Sequence, residues 1–150
     1  MLKRVSADEA HAQLSQDPKA CYLDVRSTQE YAAGHPAGAY NVPIMEPDPA
    51  TGMMAPNPSF LATVEANFPD KDQPIFTGCK SGMRSQQAAR ALTEAGYTNV
   101  CDVKGGFHGQ QNEVGMKVEP GWLDHELPVE TEPLSGRDYT SLLGRLRTGT

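Results

Sequence analysis

Between Pro74 and Ala95 the chain passes from an apolar run through a glycine and a cysteine into a helical pattern, and this passage constrains the fold more than any other segment. Ile75 and Phe76 lead to Gly78, and Cys79 follows. Lys80, Ser81, Gly82, Met83, Arg84 and Ser85 make a turn of small and cationic residues, and a helical pattern then runs from Gln86 to Ala95, where Gly96 stops it. A strand feeding a helix through a tight turn is the building unit of parallel α/β sheets, whose ligands collect beyond the carboxyl ends of the strands. A cysteine at that junction meets free backbone N–H groups and the positive end of the helix dipole. Lys80 and Arg84 add positive charge, and all three effects favour the thiolate, the reactive form. The run reads as a nucleophile, Cys79, cradled in an anion-binding loop.

The rest of the chain repeats the alternation. Ser6-Ala7-Asp8-Glu9 is a capping box that predicts a helix over about Ala7–Ser15, ended by Asp17-Pro18. Cys21–Val25 reads as a buried strand. Ser27-Thr28-Gln29-Glu30 is a second capping box, opening a short helix that Gly34 terminates. Ala39–Val42 is a short strand. Glu46–Pro58, with its prolines and Met53-Met54, reads as a loop. Ser59 is placed to cap a third helix with Phe60, Leu61, Val64 and Phe68 on one face. Pro74–Thr77 and Asn99–Val103 are further strands, and Gly105-Gly106 forces a turn. The division expected is one α/β domain over residues 1–130 and a polar tail over 131–150. Leu142, Leu143 and Leu146 give that tail an apolar stripe at helical spacing, fit for a docking helix or a disordered end.

Composition excludes several functions. With 150 residues the chain is long enough for a real core, and a net charge of −6 argues against nucleic acid or an anionic membrane as partner. No apolar run approaches a bilayer span, and the N-terminus lacks the apolar stretch of a secretory signal, so a cytoplasmic location is expected. Cys21, Cys79 and Cys101 form no CxxC pair and the histidines are scattered, so no metal site and no cofactor is expected. Cys21 and Cys101 fall in strand patterns and read as buried thiols. Asp24 and Arg26 read as an internal ion pair or backbone clamp, His35 as a hydrogen-bonded turn residue and Trp122 as a core anchor. Met53 and Met54 read either as an apolar lip for a partner or as gap fillers.

Several of these segments, in this order, resemble the rhodanese family in its single-domain sulfurtransferase form. Leu23-Asp24-Val25-Arg26, Glu30-Tyr31, Gly34-His35, Gly38-Ala39 and Asn41-Val42-Pro43 are similar to its amino-terminal signature. Cys79 through Ser85 is similar to its active-site loop, and Ala88, Ala91-Leu92, Gly96-Tyr97, Asn99-Val100 and Gly105-Gly106-Phe107 to the segments that follow. The likeness spans roughly Arg4 to Pro128. It implies a five-stranded, mostly parallel sheet with helices on both faces, and transfer of sulfane sulfur through a persulfide on Cys79. The stretches Glu46–Pro58 and Gly106–Gly121 are longer than a compact member of the family leads one to expect.

Loop length separates sulfur transfer from phosphate chemistry on the same fold. Phosphatase-type loops place five residues between cysteine and arginine; here four, Lys80 to Met83, lie between Cys79 and Arg84, and Ser85 stands where that arginine would be. The expectation is therefore a sulfurtransferase moving sulfur from thiosulfate or a similar donor to cyanide or a thiol. Lys80 to Ser85 supply backbone N–H groups to the anionic sulfur. Lys80 and Arg84 attract the donor, although Lys80 also reads as a solvated charge and Arg84 as a loop-shaping residue. A sulfur relay or protein-interaction module with a protein persulfide as donor is the alternative, and a cysteine phosphatase or arsenate reductase a further one. The sequence leaves the oligomeric state open.

Overall fold

The computed structural model describes residues 2–131 and 136–148. In chain order the elements are β1 (Arg4–Val5), α1 (Ala7–Gln16), β2 (Cys21–Asp24), α2 (Thr28–Ala33), β3 (His35–Pro36), β4 (Tyr40–Asn41), β5 (Met45–Pro47) and β6 (Met54–Pro56). They continue with α3 (Phe60–Asn67), β7 (Ile75–Gly78), α4 (Met83–Glu94), β8 (Val100–Val103), β9 (Gln110–Gln111), β10 (Lys117–Glu119), β11 (Val129–Glu130) and α5 (Tyr139–Thr148).

Five strands form one sheet in the order β1-β8-β7-β2-β4, with every pairing parallel. The α/β fold and five-stranded sheet expected from the sequence are therefore present. Side chains alternate across the strands and build a core on each face. Cys21, Leu23, Ile75 and Val100 pack with Phe60, Val64, Ala88, Leu92 and Leu142 on the side of α3, α4 and α5. Tyr22, Phe76, Cys101 and Val103 pack with Ala7, Ala10, Tyr31 and Trp122 on the side of α1 and α2. Trp122 anchors that second core: it meets Tyr22 and His11 edge-on and donates its indole N–H to the Pro128 carbonyl at 2.7 Å.

Both capping boxes form, at Ser6/Glu9 and Ser27/Glu30. Three local expectations are corrected. Glu46–Pro58 is not an open loop, because β5 and β6 pair antiparallel around a turn in which Gly52 N donates to Asp48 O at 2.7 Å. Its prolines hide the pairing from a sequence reading, yet a two-stranded ribbon has only edge strands, where proline is tolerated. Ser59 makes no side-chain cap; its N–H instead donates to the side chain of the buried Asn57 at 3.0 Å. Helix α4 begins at Met83 rather than Gln86, so Met83, Arg84 and Ser85 are its first turn and not loop.

Helix α5 docks onto α3. Tyr139 and Leu142 are buried in the same core cluster as Phe60 and Val64, Asn57 Nδ2 donates to the Tyr139 hydroxyl at 3.0 Å, and Asn67 Nδ2 donates to the Leu142 carbonyl at 2.9 Å. Residues 132–135 and 149–150 of the expected tail lie outside the described residues.

Candidate functional site

Cys79 follows the carboxyl end of β7, a central strand, and precedes α4. Two glycines make that position possible. A Cβ on Gly78 would meet the Tyr22 hydroxyl at 1.7 Å, so the residue before the cysteine must be bare. Gly82 sits at φ 120°, a conformation side chains resist, and turns the chain so that its own N–H reaches back to Cys79 Sγ at 3.1 Å. The sulfur thus sits beside the start of α4, bonded to the N–H of that helix's N-cap residue, which supplies no side-chain cap.

The rear of the loop is held by the turn after β8. Phe107 N donates to the Cys79 carbonyl at 2.7 Å and His108 N to the Lys80 carbonyl at 2.9 Å. That approach requires Gly106, since a Cβ there would lie 2.2 Å from the Cys79 carbonyl oxygen. Loop and turn therefore form one backbone-bonded unit, and only the outward side of the loop is left for ligands.

The residues singled out in the sequence fall in distinct places. Cys79 is 1% exposed. Ser85 is buried beside it, its Oγ 3.4 Å from Sγ. Lys80 is exposed, lines a cleft of about 400 Å³ with Arg26, Glu30, Phe107 and His108, and its ammonium has no hydrogen-bond or ion-pair partner among the described residues. Ser81 is half-buried, and Met83 is 73% exposed. Arg84 points to α2, where its two terminal nitrogens fork onto the Glu30 carboxylate at 2.7 and 3.0 Å. Glu30 also accepts the Ser27 N–H at 3.1 Å, completing the capping box. Burial opposes the Glu30 charge, but the bonds from Arg84 and Ser27 outweigh it and hold the carboxyl at about 2. A second cleft, about 430 Å³, is lined by both members of this pair with Ser27, Pro43, Glu46 and Met54.

Asp24 and Arg26 do not reach the sulfur by any bond. They form a buried pair, with Arg26 Nη2 2.7 Å from Asp24 Oδ2 and 2.7 Å from the Gly34 carbonyl, and the guanidinium lies over the Phe107 ring at 4.5 Å. Asn41 Nδ2 donates to the carbonyls of both Asp24 and Arg26. The pair thereby joins β2, the entry to β3 and the turn that backs the loop. His35 is buried, stacked on Tyr31 at 3.7 Å, and bonded to the Tyr31 carbonyl and to Glu130. Burial pushes the Cys21 thiol up to about 12 and raises Cys101 as well, which keeps both as thiols. Among the described residues no group of His, Cys, Asp and Glu has the arrangement of a metal site.

Sequence reasoning passed over four residues near Cys79: Glu30 as the partner of Arg84, His108, and the pair Arg4–Asp102. The available signal was a charged residue, Asp102, inside an otherwise apolar strand pattern. His108 lines the same cleft as Lys80, and burial together with Arg26 and Lys80 lowers its pKa, so it stays neutral at physiological pH.

A rhodanese-like domain matches residues 6–113. The chain belongs to that family. It is 34% identical over 130 residues to thiosulfate sulfurtransferase 18 of Arabidopsis thaliana, with 85% of each chain covered. It is 40% identical over 109 residues to the chloroplastic rhodanese-like domain-containing protein 15 of the same plant, covering 73% of this chain but 52% of that protein. The chain thus spans about half the length of that relative. Among solved structures it is similar to Rv0390 from M. tuberculosis, with a TM-score of 0.67 and 29% identity over 87% of this chain and 98% of that one. Two hairpins of this rhodanese-like domain, β5–β6 and β9–β10, occupy the stretches that look long in the sequence.

Proposed function

We propose that this rhodanese-like protein is a sulfurtransferase that carries sulfane sulfur on Cys79. The observation that carries the reading is the Gly82 N–H on Cys79 Sγ at 3.1 Å, at the start of α4. A donor built to stabilise negative charge on sulfur suits a persulfide anion as well as a thiolate. The thiolate attacks the outer sulfur of thiosulfate or a similar donor; a new S–S bond forms, the donor's S–S bond breaks, and sulfite leaves with the bonding pair. A nucleophilic acceptor, cyanide or a thiolate, then attacks that outer sulfur, and the pair returns to Sγ as thiocyanate or an acceptor persulfide departs. Neither step needs a general base or a cofactor. Lys80, unpaired at the mouth among the described residues, is the cation that attracts an anionic donor, whereas Arg84 is engaged by Glu30.

The phosphatase reading loses further ground on the same geometry. An oxyanion cradle needs a guanidinium facing its bowl, and Arg84 faces Glu30 instead. A relay to a protein acceptor is favoured by one observation: the exposed Met53, Met54 and Met83, of which Met54 lines the second cleft beside Arg84. Three free cysteines, with Cys79 reactive in this reading, suit a reducing compartment such as the cytosol. The test is intact mass after thiosulfate treatment without reductant. A gain of one sulfur, absent in Cys79→Ser, supports the reading; an unmodified wild type refutes it for thiosulfate.

A further inference from the structure

The mechanism above makes no use of a carboxylate buried behind the reactive loop. Asp102 lies on β8 and is 0% exposed. Parallel pairing sets Thr77 of β7, Asp102 of β8 and Arg4 of β1 side by side in register. Val100, two residues before Asp102, packs on the face covered by α4, and the alternation of side chains puts Asp102 on that face too. Arg4 Nε donates to Asp102 Oδ2 at 2.9 Å, and the Thr77 hydroxyl lies 3.4 Å from Oδ1. The same Thr77 hydroxyl is 3.1 Å from the Ser85 carbonyl, and the Ser85 hydroxyl is 3.4 Å from Cys79 Sγ. Polar groups therefore line the way from the partly exposed Arg4 to the sulfur, meeting at Ser85, whose backbone carbonyl takes the Thr77 bond and whose hydroxyl faces Sγ.

We propose that Asp102 is a positioning residue of this site, acting on Cys79 through Thr77 and Ser85 and held in place by Arg4. The proposal rests on the reading of Cys79 as the reactive sulfur. The Thr77 and Ser85 hydroxyls each have one proton and more than one acceptor. Ser85 Oγ lies near the Gly82 carbonyl, at 3.3 Å, as well as Sγ. Thr77 has Ser85 O and Asp102 Oδ1 to choose between. A thiol donates its proton to Ser85 Oγ, whereas a thiolate or persulfide anion needs the Ser85 proton turned toward it. The Asp102 carboxylate holds the Thr77 hydroxyl beneath Ser85 and itself draws on the Ser85 hydroxyl, so it competes with Sγ for that proton. Burial pushes the Asp102 carboxyl above its ordinary range, while Ser85, Arg4 and Thr77 draw it back. The charged or titratable groups that face Asp102 are Arg4 from β1 and, through the sheet, Tyr22 from β2, whose hydroxyl burial keeps neutral; α4 presents Ser85, because Arg84 turns away to Glu30.

The test measures alkylation of Cys79 by iodoacetamide against pH, with the adduct located by peptide mass and Cys79→Ser as control. It uses no sulfur donor, so a failed thiosulfate reaction leaves it intact and a failure here leaves the sulfurtransferase reading intact. Asp102→Asn removes a negative charge near the sulfur and lowers the pH midpoint of alkylation by about half a unit or more. Arg4→Gln removes the compensating positive charge and raises the midpoint. In a Ser85→Ala background the shift from Asp102→Asn shrinks; an undiminished shift is a direct charge effect and overturns the role of Ser85. Midpoints of both single variants within about 0.2 units of wild type, or shifts in the same direction, overturn the proposal and leave Arg4–Asp102 as a structural pair. Should Asp102→Asn fail to fold, Arg4→Gln on the short edge strand carries the test alone, and an unmoved or lowered midpoint overturns it.

Discussion

Replacing Glu30 by glutamine isolates the energetics of the ion pair beside the reactive loop. In the folded protein the Glu30 carboxyl is held at about 2 against an ordinary 4.5. A displacement of that size corresponds to about 3 kcal/mol at full strength. The two side chains are 25% and 31% exposed, so solvent screening removes roughly half, leaving about 1–2 kcal/mol. The folded form binds fewer protons than the unfolded one between pH 4.5 and about 2, so this stabilisation is fully present above 4.5 and disappears as pH falls through that window. Urea unfolding of wild type and Glu30→Gln from pH 7 down to 2 measures it by difference, which cancels the titration of the other carboxylates. The expected difference is about 1–2 kcal/mol at pH 7 and close to zero at pH 2. Arg84→Ala should lose a smaller amount, because the Ser27 bonds also hold the Glu30 charge, and the double variant little more than Glu30→Gln. A difference that does not change with pH would refute the reasoning, since it would show that the ionised fork contributes nothing and that the substitution disturbs only packing.

Four other outcomes follow from the site. Cys79→Ser should abolish sulfur transfer with the fold intact, because a serine oxygen can also accept the Gly82 N–H; a folded variant with substantial turnover would overturn the assignment. Lys80→Gln should raise the KM for thiosulfate severalfold and blunt its salt dependence, while Arg84→Ala should change KM less; the reverse order would mean that the arginine leaves Glu30 to bind the donor. Gly106→Ala should cost at least about 2 kcal/mol and disorder the loop, read by thermal unfolding and by loss of transfer together, since its methyl would overlap the Cys79 carbonyl. Initial rates with thiosulfate and cyanide should give parallel double-reciprocal lines that survive Cys21→Ala with Cys101→Ala; rapid decay of the persulfide to an internal disulfide would instead bring in a second cysteine.

Local rules read from the sequence hold best at the two capping boxes, whose partners are close in the chain. Ser6 with Glu9 and Ser27 with Glu30 cap helices by bonds that span three residues, and a capping box states such bonds outright. The start of α4 is not legible because its N-cap is Gly82, which carries no capping side chain, so no Ser, Thr, Asp or Asn marks the boundary. Ser59 makes no cap on α3, and its N–H is taken by the buried Asn57, which Pro43 and Tyr139 fix, the latter 82 residues away. Glu30 and Arg84 are 54 residues apart and Arg4 and Asp102 are 98 apart, so nothing in either segment announces the other. The loop motif located the sulfur; the partners that orient its surroundings come from strand register, which only the assembled sheet defines.

The hydrogen bond from Asn41 N to the Arg137 carbonyl, 2.9 Å, has a meaning beyond the docking of α5. Strand β4 is the outer strand of the parallel sheet on that side, and an outer strand with free backbone groups is a template for another chain. The segment leading into α5 covers that border, and the Arg137 guanidinium lies over the Tyr40 ring at 5.4 Å to seal it. On the opposite border β1 is only two residues long and carries Arg4. The protein is thereby guarded against edge-to-edge aggregation at both margins, by the shortness of the strand on one and by the segment leading into α5 on the other. Trimming the chain before Arg137 uncovers β4 and also takes Tyr139 and Leu142 out of the core, so loss of solubility and loss of stability should appear together.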